Sequence, residues 1–168
     1  MPSITLGSLQ RISAPILSQL LLAEAAAGKE TSSVAIVDVR DDDYIGGHIK
    51  SSLNFPSQTL EATLPTLIRQ LEDKETVVFH CALSQQRGPG AALRYLREKE
   101  RLAALAATKK KKTEGEEAET AKEEEDKLKK QKVYVLDRGF VGWQEEYGLD
   151  ERLTEGYRKE LWADGYWG

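Results

Sequence analysis

Apolar residues recur along this chain in two alternating rhythms. Val34–Val39 is a nearly unbroken run rich in β-branched residues, the pattern of a strand buried on both faces of a parallel sheet, and Val77–Phe79 and Val133–Leu136 are shorter apolar runs of strand length. Around them the apolar positions follow helical spacing instead. Ser13 is expected to cap a helix with Pro15 in its first turn and Ile16, Leu17, Leu20 and Leu21 on the face that packs on the sheet. Ser57 is expected to cap a second, carrying Leu60, Leu64, Leu67, Ile68 and Leu71, which Pro65 would kink or split. A third follows Gly88-Pro89-Gly90 through Ala91, Leu93 and Leu96 to about Leu105, with Arg94 and Glu98 spaced to pair on its solvent face. Ile4–Leu6 and Leu53–Pro56 supply two shorter strands, and Asp41–Tyr44 a helical turn ended by Gly46-Gly47, within which His48 is expected to bond. Strands alternating with helices predict an α/β fold, with a mostly parallel five-stranded sheet and helices on both faces.

The rhythm fails from about Thr108 to Lys132, where lysines and glutamates replace almost every large apolar residue. That composition buries too little surface to offset the entropy of ordering, so a flexible charged insertion, or at best an exposed helix, is expected inside one domain spanning residues 1–168. Its Lys109–Lys112 run is also a candidate nuclear-localisation or acidic-partner site, although interleaved acidic blocks favour a solvated linker. Beyond it, Trp143, Tyr147, Leu149 and Leu153 are expected in the core. A tail with Tyr157, Leu161, Trp162, Tyr166 and Trp167 is expected to dock on the domain.

Charge and cysteine usage narrow the function classes. A net charge of -4 argues against a generally basic nucleic-acid binder. A single cysteine excludes an internal disulfide and a multi-cysteine zinc site, and points to the reducing cytoplasm or nucleus. No leader, membrane span, metal or cofactor is expected, the leucine-rich N-terminal stretch being too short to cross a bilayer.

The chemistry concentrates in the sequence Thr76–Tyr95, a strand, a short loop and a helix. Such a loop can turn backbone N–H groups inward around an oxyanion, and the helix N-terminus behind it adds donors and positive partial charge. A thiol there, ordinarily near pKa 8.5, is expected to ionise more readily, which makes Cys81 a nucleophile. Arg87 can hold two oxygens of a phosphate-like group over that sulfur. His80 would orient the loop or tune the thiolate.

These residues carry a resemblance. His80-Cys81-Ala82-Leu83-Ser84-Gln85-Gln86-Arg87-Gly88 resembles the active-site loop of protein tyrosine phosphatases, in the form found in small rhodanese-fold phosphatases related to the M-phase inducer phosphatases and eukaryotic arsenate reductases. Asp38 and Arg40, Gly46-Gly47-His48-Ile49 and Asn54-Phe55-Pro56 are similar to the early signature of rhodanese domains, and Leu136–Trp143 to their last, except that Arg138 stands where the first of two glycines is usual. The resemblance implies a rhodanese-like domain whose Cys81 attacks phosphorus while amides from Ala82 to Gly88, with the Arg87 guanidinium, bind the phosphoryl oxygens. The substrate would be phosphotyrosine or another phosphoprotein monoester. Arsenate reduction, with glutathione and a glutaredoxin as partners, is the first alternative, and sulfur transfer or phosphate binding without turnover the next. Asp38 and Arg40 are candidates for support, Asp38 more as a structural partner of Arg40 than as a general acid. A side chain at 138 would narrow or recharge the mouth of the site.

Overall fold

The computed structural model of the protein describes residues 5–28, 33–112 and 131–162. Five strands form one sheet in the order β1 (Gln10–Ile12), β6 (Lys132–Leu136), β5 (Thr76–His80), β2 (Val34–Asp38) and β4 (Leu53–Asn54), every neighbouring pair parallel. Side chains alternate across it. Ala35, Val37, Val77, Phe79, Val133 and Val135 face helices α2 (Leu60–Leu71) and α3 (Arg87–Lys112). Val34, Ile36, Val78 and Leu136 face α1 (Ala14–Ala26) and α4 (Gly139–Tyr147). Burial on both sides is why these runs lack the polar alternation of a half-exposed sheet.

Local signals account for most boundaries. The Ser13 hydroxyl accepts the Ile16 N–H at the head of α1, and Pro15 stands in its first turn. The inner face of α1 differs from expectation, however: Ala14, Leu17 and Ser18 are buried, whereas Ile16 is 55% and Leu20 38% exposed. Those two leucine-like positions lie a fraction of a turn outside the contact stripe. Pro65 sits inside α2 without splitting it. Ser57 does not cap α2; it opens a 3-10 turn, Ser57–Thr59, and its hydroxyl donates to Asp41.

Further differences fall where the pattern is short. The first strand lies at Gln10–Ile12, and the Leu6–Ser8 segment is a 3-10 turn. His48 belongs not to the preceding turn but to a small antiparallel pair, β3 (His48–Ile49) with β7 (Thr154–Glu155), too brief to leave a period in the sequence. Helix α3 extends past Leu105 to Lys112, into the lysine run, and Glu98 pairs with Arg101 rather than with Arg94. Leu149 is exposed, while Trp143 and Leu153 are fully buried.

Residues 113–130, most of the expected insertion, lie outside the described residues, as do Tyr166 and Trp167. Where the chain returns, Gln131 accepts from the Tyr95 hydroxyl and the Lys99 ammonium and donates to the carbonyls of Leu71 and Lys74. The tail docks by its described part. The Trp162 indole N–H, on the short helix α5 (Lys159–Trp162), donates to the Gly46 carbonyl and its ring packs on Phe140.

The most consequential buried group is an ion pair at the end of β2. Arg40 Nε and Nη2 both donate to Asp38, at 3.0 and 2.7 Å, and both side chains are fully buried. Arg40 also donates to the Gly47 carbonyl and lies 4.3 Å from the centre of the Phe140 ring. Removing one charge strands the other, so Asp38→Asn is expected to cost about 3–5 kcal/mol in urea unfolding. A cost under about 1 kcal/mol would show that the pair is not a structural support.

Candidate active site

Strand β5 lies mid-sheet and ends at the carboxyl edge, where parallel α/β sheets place their ligands. Alternation carries Cys81 to the same face as Val77 and Phe79, toward α3. Cys81 is 3% exposed, and its Sγ accepts the Ser84 N–H at 3.2 Å. Ser84 has φ 55°, a left-handed backbone that bends the loop around the sulfur.

Two bonds anchor this loop from below. Phe140 N–H donates to the Cys81 carbonyl at 3.0 Å and Val141 N–H to the Ala82 carbonyl at 2.9 Å. First-turn amides of α4, which lack acceptors in their own helix, thereby hold the loop in place. The contact requires glycine at 139. With φ at 54°, a Cβ there would stand 2.5 Å from the Ala82 carbonyl oxygen and closer still to that of Cys81.

His80 supports the loop from behind. Burial pushes its imidazole below the ordinary value, against a smaller opposing pull from Asp38, so the ring is neutral near pH 7. A neutral ring satisfies the Cys81 carbonyl only by donating from Nδ1, at 3.0 Å, which leaves Nε2 unprotonated and without a hydrogen bond, 3.7 Å from Asp38. Its hydrogen bond is with the Cys81 backbone carbonyl rather than with the sulfur.

Leu83, Gln85 and Gln86 are exposed, whereas Ala82, Ser84 and Gly88 are buried. Arg87 opens α3, six positions after Cys81 and close enough for the sulfur's charge to act on it. Here the geometry departs from the expected open clamp. Arg87 Nη1 and Nη2 donate bidentately to Asp43 at 2.7 and 2.6 Å, and Nη1 reaches Asp41 at 3.3 Å. Hydrogen bonding to Asp43 raises the Arg87 pKa further and holds the Asp43 carboxyl at about 2. Burial pushes Asp41 up, but bonds from the Ser57 hydroxyl, the Gln58 N–H and Arg87 outweigh it, and its carboxyl is also lowered. An oxyanion must therefore take the guanidinium from Asp43 or share it.

Asp41 and Asp43 are the site residues that sequence reasoning missed. Their signal was three consecutive acidic residues, Asp41-Asp42-Asp43, immediately after the Asp38–Arg40 pair. Such a cluster is a plausible helix start, and nothing in local spacing announces that it faces a residue 44 positions away. Asp38 and Arg40 themselves touch each other, His80 and the backbone of the turn, and stand behind the loop rather than over the sulfur.

Among known families, the Rhodanese-like domain matches residues 21–146, a span that includes Asp38, Arg40, Cys81 and Arg87. The CDC25-like phosphatase YCH1 of Saccharomyces cerevisiae is 36% identical over 138 residues, covering 76% of each chain. Arsenate reductase 2.1 of Oryza sativa subsp. japonica is 38% identical over 120 residues, covering 71% of this chain and 61% of its own. The solved structure of a yeast protein tyrosine phosphatase of the Rhodanese family superposes with a TM-score of 0.68 at 31% identity, over 95% of this chain and 99% of that one. With the parallel sheet and the anchored loop already in place, this agreement settles the family: the chain belongs to the rhodanese-like domains.

Proposed function

We propose that the protein is a cysteine-dependent phosphatase acting on phosphotyrosine or related phosphoprotein monoesters. The observation that carries this reading is the Cys81 sulfur, held by a loop N–H at the end of the central strand beside the head of α3. Relatives named as phosphatases support it. An amide aimed at sulfur stabilises negative charge there, and helix α3 contributes its positive end.

The thiolate of Cys81 attacks phosphorus in line, forming a sulfur–phosphorus bond as the bond to the leaving alkoxide or phenolate breaks. Loop amides from Ala82 to Arg87 and the Arg87 guanidinium bind the equatorial oxygens, which flatten from a tetrahedral to a trigonal arrangement in the transition state. Water then attacks phosphorus, releasing inorganic phosphate and restoring the thiolate. The leaving group needs a proton, and Ala82–Gln86 contains no acidic residue. A monoanionic substrate brings one.

Arsenate reduction is the second reading, favoured by the likeness to arsenate reductase 2.1. The same loop would bind arsenate and the same sulfur would attack arsenic. With Cys81 the sole cysteine, glutathione and a glutaredoxin would have to supply the electrons and resolve the adduct. Sulfur transfer is less well matched, since five residues between Cys81 and Arg87 suit a tetrahedral oxyanion better than a persulfide.

Side-by-side assays of the wild type and Cys81→Ser test these readings, on an aryl phosphate, on arsenate with glutathione and glutaredoxin, and on thiosulfate with cyanide. The wild type is expected to hydrolyse the aryl phosphate, and the variant to lose about a thousandfold or more in kcat/KM. Hydrolysis that survives the substitution would refute a covalent role for Cys81.

The Arg87–Asp43 contact has its own pH signature. Asp43 is lowered from 3.8 to about 2, so its contribution to stability is fully present above its unfolded value and is lost as pH falls through the folded one. The stability difference between the wild type and Asp43→Asn is thus expected to be constant above about pH 4 and to vanish towards pH 2. A difference independent of pH across that interval would show that Asp43 is not held by Arg87.

A further inference from the structure

A second feature borders the loop. A groove of about 460 Å³ is lined by Arg11, Leu83, Ser84, Gln85, Arg138 and Val141. Neither Cys81 nor Arg87 lines it. Ser84 joins the groove to the nucleophile: its N–H donates to Cys81 Sγ, while its carbonyl accepts from Arg11 Nη1 at 3.3 Å. One residue, Ser84, thus stands between the groove and the sulfur.

The groove is cationic in a chain whose net charge is -4, and its second cation is held there against local preference. Arg138 has φ 63°, a backbone that favours glycine. Its side chain also needs room. A Cβ at position 142 would lie 2.5 Å from Arg138 Cβ, so Gly142 is what allows a side chain at 138. Two backbone concessions thus hold a guanidinium at the groove, facing the one that β1 supplies. Both are partly engaged, Arg11 with Asp137 at 3.4 Å and Arg138 with Glu145 at 2.7 Å. These pairs are solvent-exposed, and such pairs contribute little and exchange readily for a better-placed anion. Leu83, which also lines the groove, is 37% exposed and adds an apolar surface.

From this arrangement we infer that the groove is a specificity subsite for an acidic side chain next to the phosphorylated residue of a peptide substrate. Arg11 and Arg138 receive the carboxylate, and Leu83 carries the aliphatic part of the flanking segment. The inference rests on the phosphatase reading and adds to it the sequence class of the substrate.

The test compares kcat/KM for two tyrosine-phosphorylated peptides that differ only by Glu or Gln at the positions flanking the phosphotyrosine, with an aryl phosphate as a probe lacking flanks. The full chain is used as wild type, Arg138→Gly, which the backbone at 138 favours, and Arg11→Gln. The wild type is expected to prefer the Glu peptide by about fivefold at low salt, expressed in KM, with the preference shrinking as salt rises. Each variant is expected to bring the Glu-to-Gln ratio toward one. Hydrolysis of the aryl phosphate with no preference in the wild type, or a preference that both variants retain, overturns the subsite alone. Failure of the wild type to hydrolyse the aryl phosphate and both peptides overturns the phosphatase reading, and the subsite with it.

Discussion

The buried pair of Asp38 and Arg40 supports both halves of the candidate site. Strand register places Asp38 beside His80, the residue that holds the Cys81 carbonyl. Arg40 donates to the Gly47 carbonyl and lies between the rings of Phe140 and Tyr44, thereby fixing the turn that carries Asp41 and Asp43. Asn54 closes the assembly by donating to the carbonyls of both residues. Ion pairs removed from water rarely add net stability over an apolar replacement; their use is to specify one arrangement. Here the arrangement specified is the position of a sulfur relative to a guanidinium on a different element.

The guanidinium is shared between two prospective anions. A planar fork that donates bidentately to Asp43 cannot give the same two N–H groups to a phosphoryl group. Binding is therefore an exchange of anions rather than a simple gain of contacts, and the energy spent on leaving Asp43 subtracts from ground-state affinity. The exchange has a useful side. It favours tetrahedral guests that can accept both N–H groups of the fork over weak or monodentate ones. The groove of Arg11 and Arg138 does not include Arg87, so on the proposed reading selection for the phosphoryl group falls to Arg87 and selection for its flanks to the other two.

Much of this was legible in the sequence because it depends on local repetition. The three apolar runs read as strands, Val34–Val39 as one buried on both faces, and Val37, Val78 and Val135 are fully buried. The Cys81–Arg87 segment read as a loop between a strand and a helix, and the structure has that order, with α3 starting already at Arg87. What stayed hidden depends on contacts between distant elements. Strands β3 and β7 are two residues each, below any period. Ile16 and Leu20 match the helical rhythm of α1 but lie at the margin of a stripe whose position the sheet decides. The attachment of Arg87 to Asp43 joins β5–α3 to the β2–β3 connection, and no spacing rule reaches across them. Arg138 shows the reverse case: it stood out in the sequence as a departure from two glycines, and its left-handed backbone and dependence on Gly142 appear only in the structure.

The central claim is that one tetrahedral oxyanion is received jointly by the loop beneath it and by Arg87. A crystal structure with tungstate or vanadate bound tests it most directly. The account predicts the oxyanion seated over Cys81 Sγ, with hydrogen bonds from the Ala82–Gly88 amides and with the Arg87 fork turned from Asp43 onto it. An oxyanion bound away from Cys81, or one seated there while Arg87 stays bidentate on Asp43, would contradict it.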